Sequence, residues 1–410
     1  MIAKNKNGGG PKIGLPFFKE GRGKMKRLGL YIHIPFCKQK CNYCDFYSMA
    51  CTQKISQYIS AISKQIENDF SLYKDYEFDS IFIGGGTPSL VEPSDFEKLA
   101  NTIKNSIKQT QDLEFSIEAN PGTLTKEKLV AYKNAGVNRL SIGLQSTDND
   151  TLKSLGRIHT LEDFENSYYL ARECGFENIS LDLMYSLPNQ TCEQFAKTLK
   201  KAISYNPEHI SAYSLKIEEN TPFGKIKDTL VLPSEDEEYD MYMMLCDTLE
   251  KHGYKQYEIS NFSKPGYESH HNLKYWLSEE YIGIGPSAHS YFNGQRYFYQ
   301  PSIDDYISAI ESDSLPEKIF EETEKIRHSQ AEISKKDEYM MLKLRLSSGV
   351  NETEYSARFD SNLLSDYPKI KKYLDLGYMK KNLASYSFTP KGFFVSNYIL
   401  TDILSFDKKD

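Results

Sequence analysis

Tyr31-Ile32-His33-Ile34-Pro35-Phe36-Cys37-Lys38-Gln39-Lys40-Cys41-Asn42-Tyr43-Cys44-Asp45-Phe46 holds three of the chain's seven cysteines, spaced C-x3-C-x2-C. An apolar, β-branched run leads into them, and Pro35 stops it just short of Cys37. The pattern predicts a buried strand over 28–34, ending in a loop that carries three thiols. Three thiolates on one short loop suit one face of a cubane iron–sulfur cluster. They leave the fourth iron open to a small chelating molecule. A structural zinc site is the competing reading. It normally takes four ligands, and His33 or Cys51 would supply the fourth. His33 also reads simply as a packed histidine on the strand. A disulfide is disfavoured for an odd, tightly clustered set.

At 410 residues the chain can bury a large core and is expected to form two domains. Its net charge of −7 offers no basic footprint for nucleic acid. A hydrophobic content of 39% fits a soluble protein, and the longest apolar runs fall far short of a bilayer span. Residues 1–24 are Gly- and Lys-rich, lack the apolar core of a secretory signal, and read as a disordered extension. Cys51, Cys174, Cys192 and Cys246 are scattered singly, which points to packing roles in a reducing cytoplasm. The 30 tyrosines and 22 phenylalanines are mostly expected in the core, although such residues also wall flat-ligand pockets.

From residue 28 the chain alternates short apolar runs with helical spacing. Strands are expected at 28–34, 78–83, 113–118, 138–143, 178–183 and 209–215. Helices are expected between them at 52–70, 93–107, 126–134, 161–174 and 193–204. Strand–helix repetition implies a parallel sheet with right-handed crossovers. Six units fall two short of a closed eight-unit barrel, so the expected class is α/β, a partial (β/α)6 barrel. Its site should lie at the strands' C-terminal ends. Beyond 233 the rhythm changes. A helix is expected at 236–251, then an aromatic stretch over 254–299 with Gly and Pro interspersed. The expected division is a core at 25–232, an aromatic and His-rich extension of it at 233–314, a charged linker at 315–336, and a smaller, mainly helical C-terminal domain at 337–410.

With its flanks, Y-I-H-I-P-F-C-x3-C-x2-C resembles the signature of radical S-adenosylmethionine (SAM) proteins of the HemN/HemW group. The resemblance implies the partial barrel and a [4Fe–4S] cluster on Cys37, Cys41 and Cys44, with SAM on the open iron. Gly84-Gly85-Gly86-Thr87-Pro88 follows the second strand; alone it is a tight turn or a phosphate loop without the Lys-Ser/Thr ending. By resemblance Gly85, Gly86 and Thr87 contact SAM. Glu118 alone reads as a solvated strand end. The resemblance makes it a SAM contact, along with Gln145, Arg157, Asp182, Tyr31 and, on a looser match, Tyr43. Asp182 is informative without kinship, because an acid in an aliphatic strand is costly unless paired or bound.

The segments 257–262, 270–276 and 283–290 bring aromatics together with His270, His271 and His289. They read either as packed aromatics with surface histidines or as a porphyrin site with an imidazole for the iron. His271-Asn272-x-x-Tyr275-Trp276 is similar to the mark of the HemW branch, a haem-chaperone group. His271 is therefore the first candidate haem ligand, ahead of His270 and His289. The catalytic relatives, oxygen-independent coproporphyrinogen III oxidases, continue the motif as C-x3-C-x2-C-x-C, and here that place is Phe46. The resemblance spans nearly all the chain from Met25. It departs at Ser186 and Asn189, where glycines are expected. It implies a cytoplasmic haem chaperone that delivers haem to acceptors such as respiratory cytochromes. Transient contact with membrane-bound acceptors and a homodimer are further implications. The rival readings are a coproporphyrinogen III oxidase, decarboxylating two propionates, and a radical methylase-like enzyme.

Overall fold

The computed structural model describes residues 25–321 and 334–404. The expected extension 1–24, residues 322–333 of the expected linker and residues 405–410 lie outside the described residues.

Six strands, β1 (Lys26–Ile34), β2 (Tyr76–Gly85), β3 (Gln109–Ala119), β4 (Arg139–Gln145), β5 (Asn178–Tyr185) and β6 (His209–Ser214), lie side by side in chain order. All of these neighbours pair in parallel. The helices α1 (Ile55–Asp69), α2 (Pro93–Ser106), α3 (Lys126–Ala135), α4 (Asn149–Ser154), α5 (Leu161–Glu173) and α6 (Cys192–Ser204) fall between them. The alternation that marked β1 in the sequence is used as expected. Leu28, Leu30, Ile32 and Ile34 are 0% exposed and share one core with Ile59, Ile62 and Ile66 of α1. Tyr31 and His33 take the opposite face. Capping boxes at Thr160/Asp163 and Thr191/Gln194 start α5 and α6 where strand-to-helix loops end. Each such cap stabilises by about 1 kcal/mol.

The region after β6 is more structured than its sequence suggests. It contains α7 (Pro222–Lys225), α8 (Glu235–Lys251), β7 (Lys255–Gln256), β8 (Asn261–Ser263), α9 (His270–Leu277), β9 (Tyr281–Ile284), β10 (His289–Phe292), β11 (Gln295–Tyr299), α10 (Ile303–Glu311) and β12 (Lys318–Phe320). The sheet has twelve strands, ordered β12-β11-β10-β9-β1-β2-β3-β4-β5-β6-β8-β7, and it does not close. β9 is a seventh parallel strand, paired with β1 from Gly29↔Tyr281 to Ile32↔Ile284. Antiparallel strands flank both edges. Strands this short carry too few residues to set up a readable period, which is why 254–299 looked irregular. β12 falls inside the segment expected as linker.

The C-terminal region is mainly helical, as expected. It also carries a three-stranded antiparallel sheet, ordered Val350–Asn351, Ser385–Phe388, Met379–Asn382, that the sequence did not suggest. Among the described residues no helix is long and apolar enough to cross a membrane.

Candidate functional site

The cysteine loop leaves β1 at the sheet's C-terminal rim. Its base is closed by backbone bonds from Cys37 N–H to the Met49 carbonyl (2.9 Å) and from Met49 N–H to the Pro35 carbonyl (2.8 Å). Its middle is tied to the end of α4, where Asn42 donates from its backbone to Leu155 and from its side chain to Ser154, both at 2.9 Å. Gly156, at φ +75°, allows that approach, since a Cβ there would stand 3.1 Å from Asn42. The Phe223 amide of α7 donates to the Asn42 carbonyl at 2.9 Å. Cys37 is buried, and Cys41 and Cys44 are half-buried.

The glycine run after β2 lies directly against this loop. Gly86 N–H donates to the Ile34 carbonyl at 2.8 Å. A Cβ on Gly86 would stand 2.7 Å from the Phe36 carbonyl oxygen and 3.0 Å from Cys37 Sγ, so only glycine fits without displacing the loop. The Thr87 hydroxyl points at Cys37 Sγ (3.7 Å) and accepts from Asn120 Nδ2 (2.9 Å). Arg157 Nη1 points at Cys41 Sγ (3.6 Å), while Nη2 donates to Asn120 Oδ1 and the Gly143 carbonyl, both at 3.0 Å. Two of the three sulfurs thus face donors, which suits thiolates more than thiols. Among the described residues no three His, Cys, Asp or Glu side chains converge on a single metal ion. A cubane spreads its thiolates over separate irons, so it asks for no such convergence. The loop and its donors therefore fit an iron–sulfur cluster.

Acids line the interior beside the loop. Gly85, at φ +117°, donates its amide to Glu118 Oε2 at 3.0 Å. Burial, then the nearby Asp182 carboxylate, pushes the Glu118 carboxyl up to about 8. Burial also raises Asp182, against hydrogen bonds from Ser211 and Ser141. Gln145 closes β4 in the left-handed region at φ +64°, its side chain against Gly143. Tyr43 lies beside Arg157, and burial raises its hydroxyl pKa. His33 Nε2 faces the Tyr47 carbonyl at 2.8 Å, and a carbonyl only accepts, so Nε2 carries the proton. Burial lowers this imidazole to about 4, so it is neutral and its Nδ1 accepts from the Tyr31 hydroxyl at 2.8 Å. The twelve residues expected at the cluster and SAM positions lie on the cysteine loop, on β1 to β5, or in the loops that follow β2 and α4. Sequence reasoning missed Asn120, which links Thr87 to Arg157, because Asn120-Pro121-Gly122 reads as a plain turn. His33 was seen, but not its clamp on the cysteine loop.

The three histidines expected near haem do not come together. His271 is 0% exposed. Its Nδ1 pairs with Ser80 Oγ and its Nε2 with Tyr275 Oη, both at 2.9 Å, and its ring stacks on Phe82 at 5.4 Å. Glu114 caps α9, accepting from the His270 and His271 amides at 3.0 Å each. Buried Lys274 pairs with Asp79 at 2.8 Å. Ser80 and Glu114 lie four residues before Gly84 and Glu118, roughly 13 Å below the rim at about 3.3 Å per residue. α9 is thus a polar plug in the barrel floor rather than a wall of an open pocket. His270 is exposed. His289, on β10, is also exposed and stacks against Phe298.

The profile of the Radical SAM superfamily matches residues 31–202, and that of the HemN C-terminal domain matches 336–395. "Heme chaperone HemW" of Bacillus subtilis (strain 168) is 39% identical, over 84% of this chain and 90% of that protein. The protein of the same name from Escherichia coli (strain K12) is 42% identical, over 65% of this chain and 70% of that one. Coproporphyrinogen III oxidase (HemN) from Escherichia coli shares the fold at TM-score 0.77 and 22% identity, covering 94% of this chain and 91% of that one. Identity of this order along almost a whole relative, over a rim built as described, places the chain in the HemW family of heme chaperones, within the radical SAM superfamily.

Proposed function

We propose that this protein carries haem to acceptor proteins and holds a [4Fe–4S] cluster and SAM on the sheet's rim. Cys37, Cys41 and Cys44 are the cluster ligands in this reading. Gly85, Gly86, Thr87, Glu118, Gln145, Arg157, Asp182, Tyr31 and Tyr43 form the SAM site. When bound, the cluster supplies a one-electron donor and an open coordination position. The chain's own residues do the rest. Gly86 and Thr87 admit and face the Cys37 sulfur, Arg157 faces Cys41, and Glu118 with Asp182 offers two acids to a cationic ligand. The observation that supports the reading is the Thr87 hydroxyl facing Cys37 Sγ beside a glycine, Gly86, whose place leaves no room for a Cβ, so that the thiol loop and the glycine loop pack together.

Family membership supports haem as cargo, and the reading extends to acceptors such as respiratory cytochromes and to a cytoplasmic location. A homodimer and transient contact with membrane-bound acceptors complete the proposal. The test is anaerobic reconstitution followed by hemin titration, and by incubation with coproporphyrinogen III and SAM. The expected result is about four irons and one haem per chain, without conversion of the porphyrinogen. Turnover of that substrate without haem binding would select the oxidase instead.

A further inference from the structure

We propose that His289, on β10 in the antiparallel flank of the open sheet, is the imidazole that ligates haem iron; this rests on the haem-carrying function proposed above. Iron needs an imidazole nitrogen whose lone pair faces open space. His271 offers none, since both ring nitrogens are bonded and the ring is 0% exposed. His270 begins α9 at the floor of the barrel, far from the rim.

His289 combines exposure with a place higher on the sheet. Its side chain is 54% exposed. Tyr291 pairs with Tyr281, which pairs with Gly29, so β10 sits in the sheet next to β9 and one strand removed from β1. β10 runs antiparallel to β9, so His289, two residues earlier, stands toward the rim. Its backbone carbonyl lies within 2.2 Å of where a Cβ on Gly283 would be, and Gly283 is the register partner of Tyr31. The imidazole is thus level with the cluster and SAM residues.

Two neighbours flank the ring. Glu321 Oε1 stands 3.7 Å from Nδ1, an ion-pair distance that a small approach would turn into a hydrogen bond. A carboxylate beside one ring nitrogen is a usual neighbour of metal-ligating histidines. Phe298 is the direct cross-strand partner and stacks on the ring at 4.8 Å and 22°. Ile319 of β12 pairs with Phe298 in turn. His289, Phe298 and Ile319 therefore form a row across three strands, about 10 Å wide at ~4.8 Å per strand, on which a flat macrocycle can lie.

The test is hemin titration of the full, cluster-loaded chain, read by the Soret band and by ferric paramagnetic resonance. His289→Ala should lose the histidine-ligated spectrum and weaken binding roughly tenfold or more. Iron content and Tm should hold, because the side chain is exposed. Free imidazole should restore the spectrum of His289→Gly, which a merely structural histidine would not do. Tyr275→Phe releases one nitrogen of His271 without emptying its site and should leave the haem spectrum unchanged. Wild-type spectrum and affinity in His289→Ala would overturn this assignment and leave the chaperone reading standing. Failure of the wild type to bind hemin would overturn both.

Discussion

Glu118→Gln should make the ligand-free protein more stable while weakening its hold on SAM. Glu118 is half-buried, accepts from the Gly85 amide and lies near a second acid, Asp182. Its carboxyl rises from the usual 4.5 to about 8. At 1.36 kcal/mol per pKa unit, that displacement corresponds to about 5 kcal/mol of charge-burial cost. Solvent reaching this half-buried carboxyl screens part of it, leaving on the order of 2 kcal/mol. The sign follows from proton linkage. The folded carboxyl holds its proton more tightly than the unfolded one, so raising the pH favours the unfolded chain. Wild type therefore loses stability from pH 4.5 up to about 8 and no further. Glutamine has no such titration, and its amide oxygen can still accept from Gly85. Thermal melts of the metal-free chain should give coincident Tm values near pH 4.5 and a gap in favour of the variant that widens to pH 8. On the loaded protein, calorimetry should give weaker SAM binding for the variant. A gap that does not change with pH, or a variant less stable at pH 8, would refute the buried-charge account.

Cys41→Ala should abolish the cluster's visible absorption, while Cys246→Ala should retain it, as absorption and iron assays on anaerobically reconstituted protein will read. Ser186 holds φ +58° and Asn189 φ +59°, so both occupy the left-handed region where glycines were expected. Ser186→Gly relieves about 1–2 kcal/mol of strain and returns roughly 0.5–1 through chain entropy, a net gain of about 0.5–1 kcal/mol. Asn189→Gly should gain less in the same urea titration, because asparagine tolerates this conformation. His271→Ala should cost about 2–4 kcal/mol, by opening a cavity under α9 and stranding Ser80 and Tyr275. That loss should appear in the urea midpoint even without haem.

The sequence by itself determined the parts whose signal is local. The alternation of Leu28, Leu30, Ile32 and Ile34 and the helical spacing of α1 specify which faces are buried, whatever the rest of the chain does. The three cysteines mark a metal or cluster loop because they share one short stretch. Glycine at 86 was legible as part of a tight turn or a ligand loop, but its cause, the Cys37 loop it packs against, was not. Tertiary structure decided the rest. Tyr281–Ile284 is four residues with no long period, and it becomes a parallel strand only by meeting β1 some 250 positions earlier. Arg157 is 116 positions from Cys41, and no spacing rule joins them. The same holds for His271 and Ser80, 191 apart, whose bond holds the imidazole in a buried polar cluster. Hydrogen bonds between distant segments leave no local pattern, because each partner's residue type is chosen by a neighbour that exists only once the sheet has formed.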